Sequence, residues 1–484
     1  MQAGSRDGSG SCWLREDGAA GAVADGDVLD LAAELARRLM ARDDEPSRLP
    51  APAELEAALD LRPPAESRSL GEVADRLGRL LEFTPSTSGR RFFNQLFAGR
   101  DEAALLGELV AVIANTSPYT YKAAGAQVLA ERALIAHMGR KVGWAGCGGL
   151  FTPGGSLSNF AAMVVARNER LEGVRETGLD GRPVAMYISA EAHYSMPKNA
   201  GMIGIGRRNV RSVETDDEGR MLASALDAAI RRDVGAGVVP LMVVATSGTT
   251  VQGAFDPLDA LAEVTRSHGV WLHVDGAYGG TLLLSDEHRH LLRGSELADS
   301  FTWDAHKMMG VPLTCSVALF RDPDMPQKHF DETATYLFQR DDATYNPGQS
   351  SLQCGRRNDA LKLWTAWQRH GDAGYARRIE RQFALAAYAR SVIEAEPRFR
   401  LVKRPQSINL CFTVEGVDAR EVCHLMDRAG RARVSHGTVD GVSTVRLVCL
   451  NPDLCEADFD AFFDHVRWAA DELLAGSAGD EGRG

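Results

Sequence analysis

Lys307 stands in the stretch Thr302-Trp303-Asp304-Ala305-His306-Lys307-Met308-Met309-Gly310, downstream of Asp275 in His273-Val274-Asp275-Gly276-Ala277-Tyr278-Gly279-Gly280. A lysine amine can form an imine with an aldehyde, and a carboxylate at the end of a strand can hold a pyridine nitrogen protonated. A ring protonated in this way takes up the electron pair left when a bond at an amino acid α-carbon breaks. Asp275 stays ionised beside that cation because the two charges attract. Alone, the lysine reads as a solvated surface charge and the aspartate as a turn or cap. Flanked by apolar strands and taken together, they predict a pyridoxal 5'-phosphate site.

Two further segments fit the same cofactor. Phe151-Thr152-Pro153-Gly154-Gly155-Ser156-Leu157-Ser158-Asn159-Phe160 is glycine-rich and runs into a helical stretch, so backbone N–H groups at Gly155, Ser156 and Leu157 can point at a phosphate dianion. Ser158 would add a hydroxyl donor. Without the lysine and aspartate the same turn reads as a helix start and nothing more. Ser189-Ala190-Glu191-Ala192-His193-Tyr194-Ser195 follows the apolar run 184–188, which places His193 at a strand end where its ring can stack on the cofactor. A buried structural histidine is the alternative.

These motifs stand in a fixed order, with Thr246-Ser247-Gly248-Thr249-Thr250-Val251-Gln252-Gly253-Ala254-Phe255-Asp256-Pro257 between the His193 and Asp275 segments. In that order the chain resembles the group II pyridoxal-phosphate amino acid decarboxylases over roughly residues 70 to 470, within them the glutamate, cysteine sulfinate and aspartate decarboxylase branch. The resemblance implies pyridoxal-phosphate fold type I, the aspartate aminotransferase-like α/β fold. It implies Lys307 as the Schiff-base lysine preceded by His306, Asp275 as the ring-nitrogen partner, and His193 as the stacking residue. Thr250 would neighbour the phenolic oxygen, Ala277 would lie under the ring, and Ser156 and Ser158 would hold the phosphate. Arg446, in Val442-Ser443-Thr444-Val445-Arg446-Leu447-Val448, matches the arginine that holds the substrate α-carboxylate, a task suited to a planar, permanently charged guanidinium. Tyr336 falls at the position of the catalytic-loop tyrosine, and the polar stretch after it reads as a lid.

Substrate size is read from Phe92-Phe93-Asn94-Gln95-Leu96-Phe97-Ala98-Gly99 and Asn115-Thr116-Ser117-Pro118-Tyr119-Thr120-Tyr121. Phe97, Ser117 and Tyr119 are similar to the cysteine sulfinate and aspartate decarboxylating members. A phenylalanine where glutamate decarboxylases carry a small hydroxyl residue fills the pocket and favours a shorter side chain, while Gln95 and Tyr119 can donate to a distal carboxylate or sulfinate. The chain departs from the family at Tyr121-Lys122-Ala123-Ala124-Gly125, where Tyr-Glu-x-x-Pro is usual, and at Asp304-Ala305, where Asn-Pro is usual. The expected reaction is decarboxylation of aspartate, a 3-substituted aspartate or cysteine sulfinate to the amine and carbon dioxide. Glutamate, an acid tethered to a carrier protein, and another fold type I reaction such as transamination are the alternatives.

Composition agrees with a large enzyme. The 484 residues, 44% of them hydrophobic, exceed one ordinary domain. A net charge of −12 disfavours nucleic acid and anionic membranes as partners, so an acidic substrate needs a locally basic pocket. The eight cysteines show no close metal-ligand pairs, and His288 and His290 lack a partner set, so no metal is expected. With no signal pattern and no run long enough to span a bilayer, the expected location is the cytoplasm.

Periodicity organises the rest. Val28, Leu31, Leu35 and Leu39 recur at helical spacing, as do Val73, Leu77, Leu80 and Leu81 behind a Ser69–Glu72 capping box. Apolar strands at 184–189, 240–246, 270–274 and 315–320 alternate with helices at 222–232 and 257–267, which predicts a mostly parallel sheet covered on both faces. The expected division is a disordered tail 1–26, a helical segment 27–90 packing on a partner subunit, a cofactor domain 91–375, a smaller α+β domain 376–474 with strands near 408–414 and 444–450, and a disordered tail 475–484. A homodimer with active sites at the subunit interface is the expected assembly.

Overall fold

Strands form where aliphatic and β-branched runs are bounded by turn residues. In chain order they are β1 (Phe92–Phe93), β2 (Gly148–Thr152), β3 (Val184–Ser189), β4 (Val210–Val213), β5 (Val239–Thr246), β6 (Trp271–Asp275), β7 (Ser300–Asp304), β8 (Ser316–Phe320), β9 (Phe399–Leu401), β10 (Asn409–Val414), β11 (Arg433–Val439) and β12 (Val442–Val448). The six strands and two helices expected above all form, with small shifts at their ends. The computed structural model describes residues 27–45, 49–332 and 345–481.

Those residues fall into two compact units that part between Ser86 and Thr87. The first contains helices Val28–Ala41, Pro52–Ala58 and Leu70–Glu82. The expected capping box is present: the Ser69 hydroxyl accepts from the Glu72 N–H, and the Glu72 carboxylate accepts from the Ser69 N–H.

The second unit holds two sheets. The larger has the order β2-β8-β7-β6-β5-β3-β4, with β4, β3, β5, β6 and β7 running parallel and β8 running against β7 and β2. Alternate residues of β5 enter opposite cores, Val243 and Ala245 joining Leu134, Met138 and Leu261, and Met242 and Val244 joining Met163 and Met196. The sheet is therefore buried on both faces, which is why β3 and β5 are apolar runs without alternation.

The smaller sheet has the order β1-β11-β12-β10-β9 and is antiparallel apart from the β1–β11 pair. Its helix Glu456–Glu481 buries Phe459, Phe462 and Phe463, and Phe463 meets Phe412 of β10 with ring centroids 6.0 Å apart. That helix continues through residues 475–481, where composition predicts disorder, because a helix already nucleated by packing extends at little cost through Ala475 and Ala478. Phe92 and Phe93, which the sequence places with the cofactor domain, form the edge strand of the smaller sheet; a two-residue strand carries no periodicity to read. The long helix Asp359–Ala395 bends at Gly371, whose φ of 59° suits only glycine without strain.

Candidate active site

Thr246, Asp275 and Asp304 are the last residues of β5, β6 and β7, and all three line one cavity of about 410 Å³. Ligands of open parallel sheets bind at these carboxyl ends. The cavity also receives Gly155 and Ser156 from the turn after β2, His193 from the loop after β3, and Thr250, Ala277, His306 and Lys307. Phe97 completes the wall.

Asp275 is held by two donors. Its Oδ1 accepts from the Ala277 N–H at 3.1 Å and its Oδ2 from Asn159 Nδ2 at 3.1 Å. Burial pushes this carboxyl up, opposed by the positive charges of Lys307 and His193 and by the Ala277 N–H. Lys307 Nζ stands 3.4 Å from Asp304 Oδ2, and His306 Nε2 stands 3.5 Å from the same oxygen. His193 is held through Nδ1 by the Ser195 hydroxyl at 2.7 Å, and burial lowers its basicity. The Ser195 contact fixes the orientation of the ring.

The glycine turn fits a phosphate. Helix Gly155–Arg170 begins without a side-chain cap and without an acidic residue in its first turn, so its leading N–H groups remain available to an anion. A Cβ on Gly155 would fall 2.5 Å from Asp304 Oδ2, so only glycine lets the backbone approach the end of β7. Arg446 of β12, buried, does not itself line the cavity; it reaches the lining residue Thr250, giving Nε to the Thr250 carbonyl and Nη1 to the Asn94 carbonyl and Ser435 hydroxyl. Its Nη2 has no partner, and no carboxylate of the described residues pairs with it. A buried guanidinium with a spare donor beside Thr250 can take a carboxylate.

Several residues expected at the site lie elsewhere. Ser158 is fully buried behind the turn, its hydroxyl shared with Thr152 and Ser316 at 2.7 Å each, and the Ser316 hydroxyl in turn donates to Asp304 Oδ1. It braces the turn and does not face the cavity, because its hydroxyl is taken up by Thr152 and Ser316. Leu157 is likewise off the wall, its N–H bonded to the Gly154 carbonyl. Gln95 is exposed, and neither it nor Ser117 nor Tyr119 lines this cavity. The Ser117 hydroxyl accepts from the Arg356 N–H at 2.9 Å, and the Tyr119 carbonyl accepts from Gly348 at 2.8 Å. Tyr336 lies outside the described residues. Outside the cavity lining, Glu287, His288 and Glu380 gather, with His288 stacked on Phe383 at 3.6 Å and Nε2 3.2 Å from Glu380.

Asn159, which also lines the cavity, escaped the sequence reading as a site residue although it stands in the quoted glycine motif. Its signal is spacing: four residues after Gly155 it shares that residue's helix face. His273 carries a parallel signal, two residues before Asp275 on one strand face.

Comparison with known proteins accords with this geometry. The pyridoxal-dependent decarboxylase conserved domain matches residues 52–415. The chain is 39% identical over 447 residues to cysteine sulfinic acid decarboxylase of Mus musculus, covering 87% of this chain and 90% of the relative. It is 43% identical over 442 residues to the acidic amino acid decarboxylase GADL1 of the same organism, covering 86% of this chain and 80% of the relative. The crystal structure of mouse CSAD superposes with a TM-score of 0.87 at 36% identity, covering 91% of this chain and 98% of that one. The fold is thus pyridoxal-phosphate fold type I, and the chain belongs to the pyridoxal-dependent decarboxylases, carboxy-lyases whose cofactor is pyridoxal 5'-phosphate.

Proposed function

We infer that the enzyme removes the α-carboxylate of a short acidic L-amino acid, aspartate, a 3-substituted aspartate or cysteine sulfinate, as carbon dioxide. The observation that carries this reading is the cavity wall on which Phe97 stands with Lys307 and Asp275, where a phenyl ring takes room that a longer side chain would need. The names of the relatives, cysteine sulfinic acid decarboxylase and acidic amino acid decarboxylase, support it.

The chemistry that pyridoxal phosphate supplies when bound is a protonated ring that accepts the electron pair freed at the α-carbon. The chain's own residues do the rest. Lys307 would hold the cofactor, Asp275 as a carboxylate would keep the ring nitrogen protonated, and the leading N–H groups of helix Gly155–Arg170 with Ser156 would take the phosphate. His193 would stack on the ring, and Ala277 and Thr250, which line the same cavity, would be further contacts of the cofactor. Arg446 grips the substrate α-carboxylate through its spare donor, and Tyr336 returns a proton to the α-carbon.

Ser117 and Tyr119 act in this reading across a homodimer, facing the cavity of the second copy. Helix Glu102–Ala114 supports that assembly, since it exposes Leu106, Leu109, Val110, Val112 and Ile113 side by side, an apolar face suited to burial against another chain.

Carbon dioxide release from aspartate, cysteine sulfinate, 3-methylaspartate and glutamate tests the substrate reading. One of the three shorter acids should show the highest kcat/KM, and Phe97→Ser should raise the relative rate on glutamate. One methylene contributes only about 1–3 kcal/mol, so discrimination of roughly 10- to 200-fold is expected. A higher kcat/KM for glutamate than for all three shorter acids overturns it.

A further inference from the structure

A line of four hydrogen bonds runs through the buried sheet and ends on Asp275. Trp271 Nε1 lies 2.8 Å from Ser300 Oγ, Ser300 Oγ lies 2.8 Å from His273 Nδ1, His273 Nε2 lies 2.9 Å from Asn159 Oδ1, and Asn159 Nδ2 lies 3.1 Å from Asp275 Oδ2. The sheet register builds it. Trp271, His273 and Asp275 share one face of β6, and His273 pairs with Ser300 across to β7.

Chemistry gives this line a single direction. The indole N–H can only donate, so the Ser300 oxygen accepts from it, which leaves the Ser300 hydrogen free for His273 Nδ1. A neutral His273 then carries its proton on Nε2 and donates to the Asn159 carbonyl oxygen, which turns the Asn159 amide N–H onto Asp275. The other end enforces the same direction, since an ionised carboxylate only accepts. Neutrality of His273 follows from its burial, which pushes its pKa down to about 3. Asn159, His273 and Ser300 are each at most 2% exposed, so water cannot replace a missing link.

We propose that Asn159, His273 and Ser300 are positioning residues that aim the Asp275 carboxylate at the cofactor ring nitrogen and keep it ionised there. The Ala277 N–H takes Oδ1 and the Asn159 amide takes Oδ2, so the carboxylate plane is fixed from two sides and its remaining lone pairs face the cavity. The other ionisable groups facing Asp275 are Lys307, His193 and Asp304. None of them orients Oδ2 by a hydrogen bond. This inference rests on the reading of Asp275 as the ring-nitrogen partner.

The test measures pyridoxal phosphate affinity by fluorescence quenching, together with the pH dependence of the bound cofactor's absorbance. Both readouts are independent of substrate. Asn159→Leu and His273→Leu should weaken cofactor binding about 10- to 100-fold, as expected for losing a hydrogen bond to a charged group. His273→Gln, which restores a donor at the Nε2 position, should recover most of the affinity. Asn159→Asp keeps the side-chain volume and sets a second carboxylate against Asp275, so one of the two must hold a proton. Its absorbance transition should therefore move by about one pH unit or more.

Asp275→Asn separates the two readings. If it leaves affinity and spectrum unchanged, the role given to Asp275 fails. If Asp275→Asn alters both while Asn159→Asp and His273→Leu stay within about twofold of the unmodified enzyme, the positioning role fails. A His273→Gln variant as weak as His273→Leu also overturns it, because the donor would then not be what matters.

Discussion

Replacing His273 by glutamine should flatten the acid side of the enzyme's stability profile. Burial lowers the His273 pKa from 6.5 to about 3. The unfolded chain therefore binds a proton between those values that the folded chain refuses, and stability is full above about pH 6.5 and lost progressively as pH falls toward 3. At pH 5 the gap of 1.5 units below the unfolded pKa corresponds, at 1.36 kcal/mol per unit, to about 2 kcal/mol lost from this one ring. Full expression near pH 3 would reach about 5 kcal/mol, an upper bound because local opening lets the ring protonate. Glutamine does not titrate, so urea midpoints of the two holoenzymes at pH 7.5 and pH 5 isolate the effect while contributions common to both cancel. The wild type should lose about 2 kcal/mol more than His273→Gln over that interval. Equal losses would show that the folded protein protonates His273 freely, and the hydrogen-bond direction derived from its neutrality would fall with it.

Three further outcomes check the site. Borohydride reduction of the holoenzyme followed by peptide mapping should place the pyridoxyl group on Lys307, and a label on any other lysine rejects that assignment. Arg446→Gln keeps hydrogen-bonding capacity but removes the charge, so kcat/KM should fall about 10- to 100-fold, the worth of one charge-assisted hydrogen bond; an unchanged KM and kcat would show that the spare donor serves another group. Tyr336→Phe should retain cofactor content and slow amine formation, and unaltered single-turnover rates count against a proton donor there.

The fold was legible where burial leaves a mark on one stretch of chain. β3, β5 and β6 are apolar runs because both faces of the parallel sheet are covered, and their ends were visible in sequence. β7 was not. Ser300, Thr302 and Asp304 alternate with Phe301 and Trp303, a pattern that suggests a half-solvated strand, yet every one of these residues is buried. Its polar face meets His273, Ser316 and Lys307, partners supplied by other elements. Period-two alternation normally marks water on one side; here it marks a polar interior, and the two cannot be told apart until the sheet order is known.

The same reasoning separates the site residues that were readable from those that were not. Lys307, Asp275, His193 and Gly155 announce themselves because each has a role set by its own chemistry. Ser158 was misplaced because a hydroxyl near a phosphate turn can serve the ligand or the scaffold, and only the nearness of Thr152 and Ser316 decides for the scaffold. Asn159 and His273 went unnoticed for the converse reason: neither is reactive, and their importance lies in what they hold. The departure to Asp304 belongs with them. Its carboxylate accepts from Ser316 and lies within 3.5 Å of both Lys307 Nζ and His306 Nε2, so the residue that sequence marks as an anomaly is in the folded chain a counter-charge for Lys307 and a polar neighbour of His306. A negative charge near a phosphate site needs a cation close by, and here the sequence places Lys307 three residues after it.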